Sequence, residues 1–116
     1  MERWWTSRRW PSPSDPFLTE RLREVIAAND QETYLHYLGT VLRDFDVTNR
    51  ASEIKLPALV ISGGEDRVIP PEFGKELSER LGVPDRFIVL PGVGHVGYVE
   101  KPDLFNRTVL DFVTRI

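Results

Sequence analysis

Two side chains in this sequence have the types and the placement that acid–base chemistry needs: Asp66, in SGGEDRVIPP, and His95, in LPGVGHVGYVE. Each follows a short apolar run, residues 58–61 and 87–90, that reads as a strand. In open α/β sheets ligands collect at the carboxyl ends of the strands. Adjacent parallel strands lie about 4.8 Å apart, so side chains from these two loops can meet. A buried carboxylate bonded to one imidazole nitrogen sets the tautomer and stabilises the imidazolium, leaving the other nitrogen to act as general base. A serine hydroxyl is one group such a base can activate. The serines are Ser7, Ser12, Ser14, Ser52, Ser62 and Ser78. Only Ser62 falls at a strand end, and Ser62-Gly63-Gly64 lacks both a preceding glycine and the strand-to-helix elbow that presents a nucleophile.

Blander readings compete with each residue. Asp66 beside Arg67 could be a turn carboxylate making local hydrogen bonds, and His95 could be a loop histidine whose neighbouring glycines merely permit a tight turn. Their matched positions after two strands favour a functional pair. His36, among Tyr34, Leu35 and Tyr37, reads as packing or surface. Glu65 is a minor competitor for the acid role, and Asp85 reads as a solvated turn residue. His36 and His95 stand 59 positions apart with no cysteine in the chain, which is not a metal-ligand spacing. Neither a metal nor a cofactor is expected.

The elements that must position these groups are legible in the periodicity. Asp15-Pro16 offers an N-cap and a proline at the first helical position, and Phe17, Leu18, Leu22, Val25 and Ile26 recur at helical spacing, predicting a helix to about residue 28. Asp30 can cap a second helix carrying Leu35, Leu38, Val41 and Leu42, with Tyr34 and Tyr37, to about residue 43. A polar connection, 46–56, leads to Pro57 and the unbroken apolar run 58–61, which predicts a strand buried on both faces. Pro70-Pro71 starts a helix with Phe73, Leu77 and Leu81 four apart, supported by Lys75/Glu79 and Glu76/Arg80, and Gly82 reads as its C-cap. A second strand, 87–90, runs into PGVGHVG, and Pro102 opens a last helix with Leu104, Phe105, Val109, Phe112 and Val113 inward. Strand, helix and strand with short connections make a right-handed βαβ unit with parallel strands. There is no internal repeat, and no low-complexity run beyond the Pro/Ser patch at 11–16.

Residues 46–116 resemble the C-terminal end of α/β-hydrolases. The resemblance rests on I-x-x-P (Ile54 to Pro57), the apolar strand, G-x-x-D-x-x-x-P (Gly63 to Pro70) and G-x-G-H (Gly92 to His95), followed by Glu100, Pro102, Phe105 and Phe112. That family orders its triad nucleophile, acid, histidine, and Asp66 before His95 obeys it. The preceding helices, with Tyr34, Tyr37 and Phe45-Asp46, are similar to the end of the small cap of enol-lactonase-like and esterase-like members. The resemblance implies an α/β fold: the C-terminal portion of the hydrolase core, two parallel strands with flanking helices, preceded by a helical cap remnant. It divides the chain into a partial cap with an irregular N-terminal arm, 1–45, and a βαβα core segment, 46–116.

The same resemblance implies that Asp66 and His95 supply the acid and histidine of a Ser-His-Asp triad for ester or lactone hydrolysis. The family's G-x-S-x-G elbow appears nowhere, so the expectation is a fragment or truncated member, inactive alone, whose nucleophile lies outside this chain. In that family's sheet the first strand would also pair with a strand this chain lacks, exposing an apolar edge. The competing expectation is therefore a non-catalytic interaction module that pairs through this edge with itself or with a separately encoded N-terminal half.

Composition bounds the remaining choices. The 116 residues suffice for one small domain, with 41% hydrophobic and 28% charged residues, and zero cysteines exclude a disulfide framework. A net charge of -3 argues against bulk nucleic-acid binding. No run approaches the roughly 20 apolar residues of a membrane span, and MERWWTSRRW lacks a signal core. A cytoplasmic protein with a small-molecule substrate, and without nucleic-acid or membrane partners, is expected. Trp4, Trp5 and Trp10 among Arg3, Arg8 and Arg9 read as part of the cap, or as a disordered segment, rather than as a base-stacking or lipid-binding arm.

Overall fold

A computed structural model describes residues 16–116. The Trp/Arg arm and the predicted Asp15 cap lie outside the described residues. Helix α1 spans Pro16–Ala27 and α2 spans Gln31–Tyr37. Asp30 caps α2 as expected: its carboxylate accepts a hydrogen bond from the Thr33 N–H at 2.8 Å. Bonding to Thr33 holds the Asp30 carboxyl below its ordinary range. The single helix expected from residue 31 to 43 instead widens into a π-helical turn, Leu38–Leu42. There the Thr40 hydroxyl donates to the His36 carbonyl at 2.6 Å, competing with the backbone ladder. None of these three segments contains a buried residue. Phe17, Val25, Val41 and Leu42 sit exposed, so the amphipathic faces are present without an element covering them among the described residues.

A 3₁₀ turn, Thr48–Glu53, buries Ala51 and packs against the helix of the βαβ unit. Strand β1 is Val60–Gly63, α3 is Pro71–Arg80 and β2 is Phe87–Leu90, after a 3₁₀ turn at Pro84–Arg86. The strands pair in parallel, with Val60 opposite Phe87 and Gly63 opposite Leu90. β1 thus lies two residues later than the run 58–61 predicted. Its extent is set by the four residues of β2 available for pairing, and it ends on Gly63 because the loop after β2 closes directly over that position. Helix α3 ends as expected. Gly82 takes φ +74°, its N–H donates to the Glu79 carbonyl at 3.0 Å and the Val83 N–H to the Ser78 carbonyl at 2.9 Å, a Schellman closure that needs a left-handed residue.

The face that α3 turns to the sheet differs from the predicted one. Phe73 and Leu77 are 61% and 44% exposed, whereas Gly74 and Ser78 are buried. A Cβ at Gly74 would collide with Ser62 Oγ and lie 2.9 Å from the Phe87 ring. The small residues let the helix backbone approach the strands more closely than a leucine stripe would.

Two helices follow β2: a short α4, Gly97–Glu100, absent from the sequence reading, and α5, Pro102–Val113. On α5, Leu104, Phe105, Val109 and Phe112 are half-buried as expected. Val113, expected inward, is the last residue of α5 and is 53% exposed. The buried apolar residues are Ala51, Val60, Leu90, Val93 and Val96, and Val93, in a loop, is fully inaccessible. The strands are not buried on both faces, because Ile88 and Val89 remain 37% and 42% exposed and a two-stranded parallel sheet has too few neighbours to cover it. No strand among the described residues pairs with the far edge of β1. No described helix is long and apolar enough to cross a membrane.

Candidate active site

The carboxyl ends of β1 and β2 bring together the two loops singled out above. Gly64 N–H donates to the Leu90 carbonyl and Glu65 N–H to the Val93 carbonyl, both at 2.8 Å, so the two strand exits are stitched together beyond the sheet. Gly63 makes this possible, because a Cβ there would lie 2.5 Å from the Val93 carbonyl oxygen and closer still to that of Gly94. The loop carrying His95 therefore rests on the backbone of β1, anchored from below by the buried Val93.

On this platform His95 Nδ1 lies 3.0 Å from Asp66 Oδ2. The Asp66 side chain is 8% exposed and that of His95 is 25% exposed. Asp66 Oδ1 accepts hydrogen bonds from the backbone N–H groups of Val68 and Ile69, each at 2.9 Å. A carboxylate oxygen accepts, so the proton of this contact sits on Nδ1. Asp66 is both a turn carboxylate and the partner of the histidine. In the structure one oxygen serves each: the local amides lock the carboxylate plane and the other oxygen aims at the imidazole.

The competing residues fall elsewhere. Glu65 is exposed and contributes its backbone N–H to the loop contact, while Asp66 alone of the two meets His95. His36 lies exposed on α2, and Asp85 is exposed in the turn before β2, at the opposite end of the strand. Ser62 points its hydroxyl at the Gly74 face of α3, a strand–helix contact and not an elbow. Among the described residues, no group of three His, Cys, Asp or Glu side chains is placed to hold a metal ion.

A cleft of about 280 Å³ opens on the pair, lined among others by Asp66, Ile69, His95, Tyr98 and Phe105. The Tyr98 and Phe105 rings meet edge to face at 6.0 Å, giving an apolar wall beside the imidazole, as ligand pockets commonly have. A larger cleft, about 330 Å³, lies near Asp85, Arg86, Asp111 and Phe112. It is at the amino end of β2 and no histidine lines it, so size does not identify the site here. Glu100 has a place in the sequence motif but no contact predicted from it. Its carboxylate accepts from the Gly94 and Val96 N–H groups, both at 3.2 Å, and its place five residues after His95 in the motif was the available signal.

The model of the alpha/beta hydrolase family matches residues 1–108. Among curated proteins, a 2-hydroxy-6-oxononadienedioate/2-hydroxy-6-oxononatrienedioate hydrolase of Burkholderia vietnamiensis is 34% identical over 104 residues, 88% of this chain and 36% of that protein. The protein of the same name from Paraburkholderia phymatum is 34% identical over 103 residues, 86% of this chain and 35% of that protein. An uncharacterized protein of Mycobacterium tuberculosis is 33% identical over 76 residues, 65% of this chain and 26% of that protein. The chain spans about a third or less of the length of these relatives. No solved structure gives a significant match.

Proposed function

The chain belongs to the alpha/beta hydrolase family, and from that premise we propose that Asp66 and His95 are the acid and histidine of a Ser-His-Asp triad that hydrolyses an ester or lactone. The serine comes from outside these 116 residues, which contain no G-x-S-x-G. The observation that carries this reading is the 3.0 Å contact from His95 Nδ1 to a carboxylate that two backbone amides already hold. In the proposed reaction His95 Nε2 takes the proton of the serine hydroxyl as it attacks the substrate carbonyl. It then returns that proton to the leaving alkoxide as the acyl-enzyme forms, and water repeats the cycle in reverse order. Asp66 stays ionised throughout and stabilises the imidazolium. The division into a partial cap, 1–45, and a core segment, 46–116, belongs to the same reading.

The test is an assay of p-nitrophenyl ester hydrolysis, with the dienedioate for which the Burkholderia and Paraburkholderia hydrolases are named as a second substrate. The isolated 116-residue chain should give no turnover above buffer, and an assembly that includes a G-x-S-x-G segment should hydrolyse the ester; turnover of the dienedioate alone, which has no ester bond, would overturn the ester-or-lactone reading. Turnover by the isolated chain that disappears in Ser62→Ala would overturn the external nucleophile.

A second reading, a non-catalytic module that associates through the far edge of β1, is favoured by one observation: that edge has no strand partner among the described residues, beside a sheet whose Ile88 and Val89 are exposed. It predicts a stable dimer or partner complex by analytical ultracentrifugation with no hydrolysis from any assembly. A monomer at micromolar concentration would count against it.

A further inference from the structure

The loop that presents His95 is tied to the strands on one side by backbone contacts, Glu65 N–H to Val93 carbonyl at 2.8 Å among them. On its other side the Gly94 and Val96 N–H groups, which flank His95 in the chain, both turn toward the carboxylate of Glu100. Gly94 donates to Oε1 and Val96 to Oε2, each at 3.2 Å. Glu100 can reach back because α4 turns the chain at once: Val99 N–H and Glu100 N–H both donate to the Val96 carbonyl, at 2.8 and 3.0 Å. One carboxylate therefore spans the residue before and the residue after the histidine. Gly94 and Val96 are buried, so their amides would otherwise be left without water or a ladder partner.

Resting on the reading of Asp66 and His95 as a reacting pair, we propose that Glu100 is a positioning residue: it fixes the backbone on both sides of His95 and so aims the imidazole Nδ1 at Asp66. A neutral side chain cannot do this equally. Glutamine retains one acceptor oxygen and presents an NH₂ where the second stood, so in the placement of Glu100 it accepts from one of the two amides and meets the other with a donor. Alanine satisfies neither.

The experiment is amide hydrogen exchange and imidazole ¹⁵N NMR on the 116-residue chain and its Glu100→Ala and Glu100→Gln variants, with circular dichroism as the fold control. In Glu100→Ala, exchange at Gly94 and Val96 should rise by roughly tenfold or more, and the Nδ1–H resonance of His95 should broaden or vanish. Glu100→Gln should release one of the two amides, keep the other protected and partly restore the His95 resonance. If Glu100→Ala loses its fold, the one-sided pattern in Glu100→Gln decides the matter. Wild-type exchange at both amides with an unchanged His95 resonance, in any folded variant, would overturn the proposal. These signals do not depend on turnover, so they separate a failure of this role from a failure of the hydrolase reading. In an active assembly, Glu100→Ala should lower kcat with little change in KM, and Glu100→Gln should recover part of the loss.

Discussion

If the proposed triad holds, Asp66→Asn should reduce kcat of an active assembly by on the order of 10⁴-fold, and the direction follows from which oxygen does what. Oδ1 is held by the N–H groups of Val68 and Ile69, so the amide oxygen of the substituted side chain will take that place, where an acceptor is required. The amide NH₂ then faces His95 Nδ1. Two donors cannot share that contact, so the imidazole must move its proton to Nε2. The nitrogen that has to accept the serine proton then already carries one. A 10⁴-fold loss corresponds to about 5.5 kcal/mol of transition-state stabilisation. His95→Ala removes the base itself and should cost still more, up to about 10⁶-fold. Both effects belong in kcat with KM nearly unchanged, because neither group need bind the ground-state substrate. The check is steady-state kinetics, with ¹⁵N NMR to read the tautomer. A loss smaller than tenfold for either variant would remove that residue from the mechanism.

Gly63→Ala should be strongly destabilising. The added carbon would meet two carbonyl oxygens, those of Val93 and Gly94, and both belong to backbone, so no side-chain rotation relieves the contact. Relief requires lifting the loop from the strand. That breaks the Glu65 to Val93 hydrogen bond, draws the fully buried Val93 from its place and carries His95 away from Asp66. Overpacking of this kind costs about 3 kcal/mol at the upper end of its usual range, which lowers the Tm of a domain of this size by roughly 10 °C or more. Thermal denaturation followed by circular dichroism reads the stability, and the His95 Nδ1–H resonance reads the geometry. Gly39→Ala is the control, since a Cβ at Gly39 meets nothing within 4 Å. Equal stability of the two variants would show that the loop does not rest on Gly63.

The pattern of helices and strands was legible in local sequence because its signals are local. Proline at the start of α3 and α5, Asp30 before α2, and Gly82 after α3 each act within one turn of the chain. The apolar run at 87–90 coincides with β2. Failures came where a partner decides. The start and end of β1 depend on which residues β2 can pair. The face of α3 against the sheet went to Gly74 and Ser78, because close approach outweighed the area that Phe73 and Leu77 could bury. The cover of the helical segment at 16–42 depends on surfaces that periodicity cannot name.

The sequence by itself determined that an aspartate and a histidine follow two successive strands, in the order the alpha/beta hydrolase family uses, because strand direction and short connections leave their loops at one end of a parallel pair. Only the tertiary structure decided that Oδ2 of Asp66, and not Glu65, meets Nδ1 of His95, that Oδ1 is occupied by Val68 and Ile69, and that Glu100 bridges the amides on either side of the histidine. Those are contacts between atoms up to 29 positions apart. Their distances are set by how closely Gly63 lets one loop lie on the other strand, which no local propensity encodes.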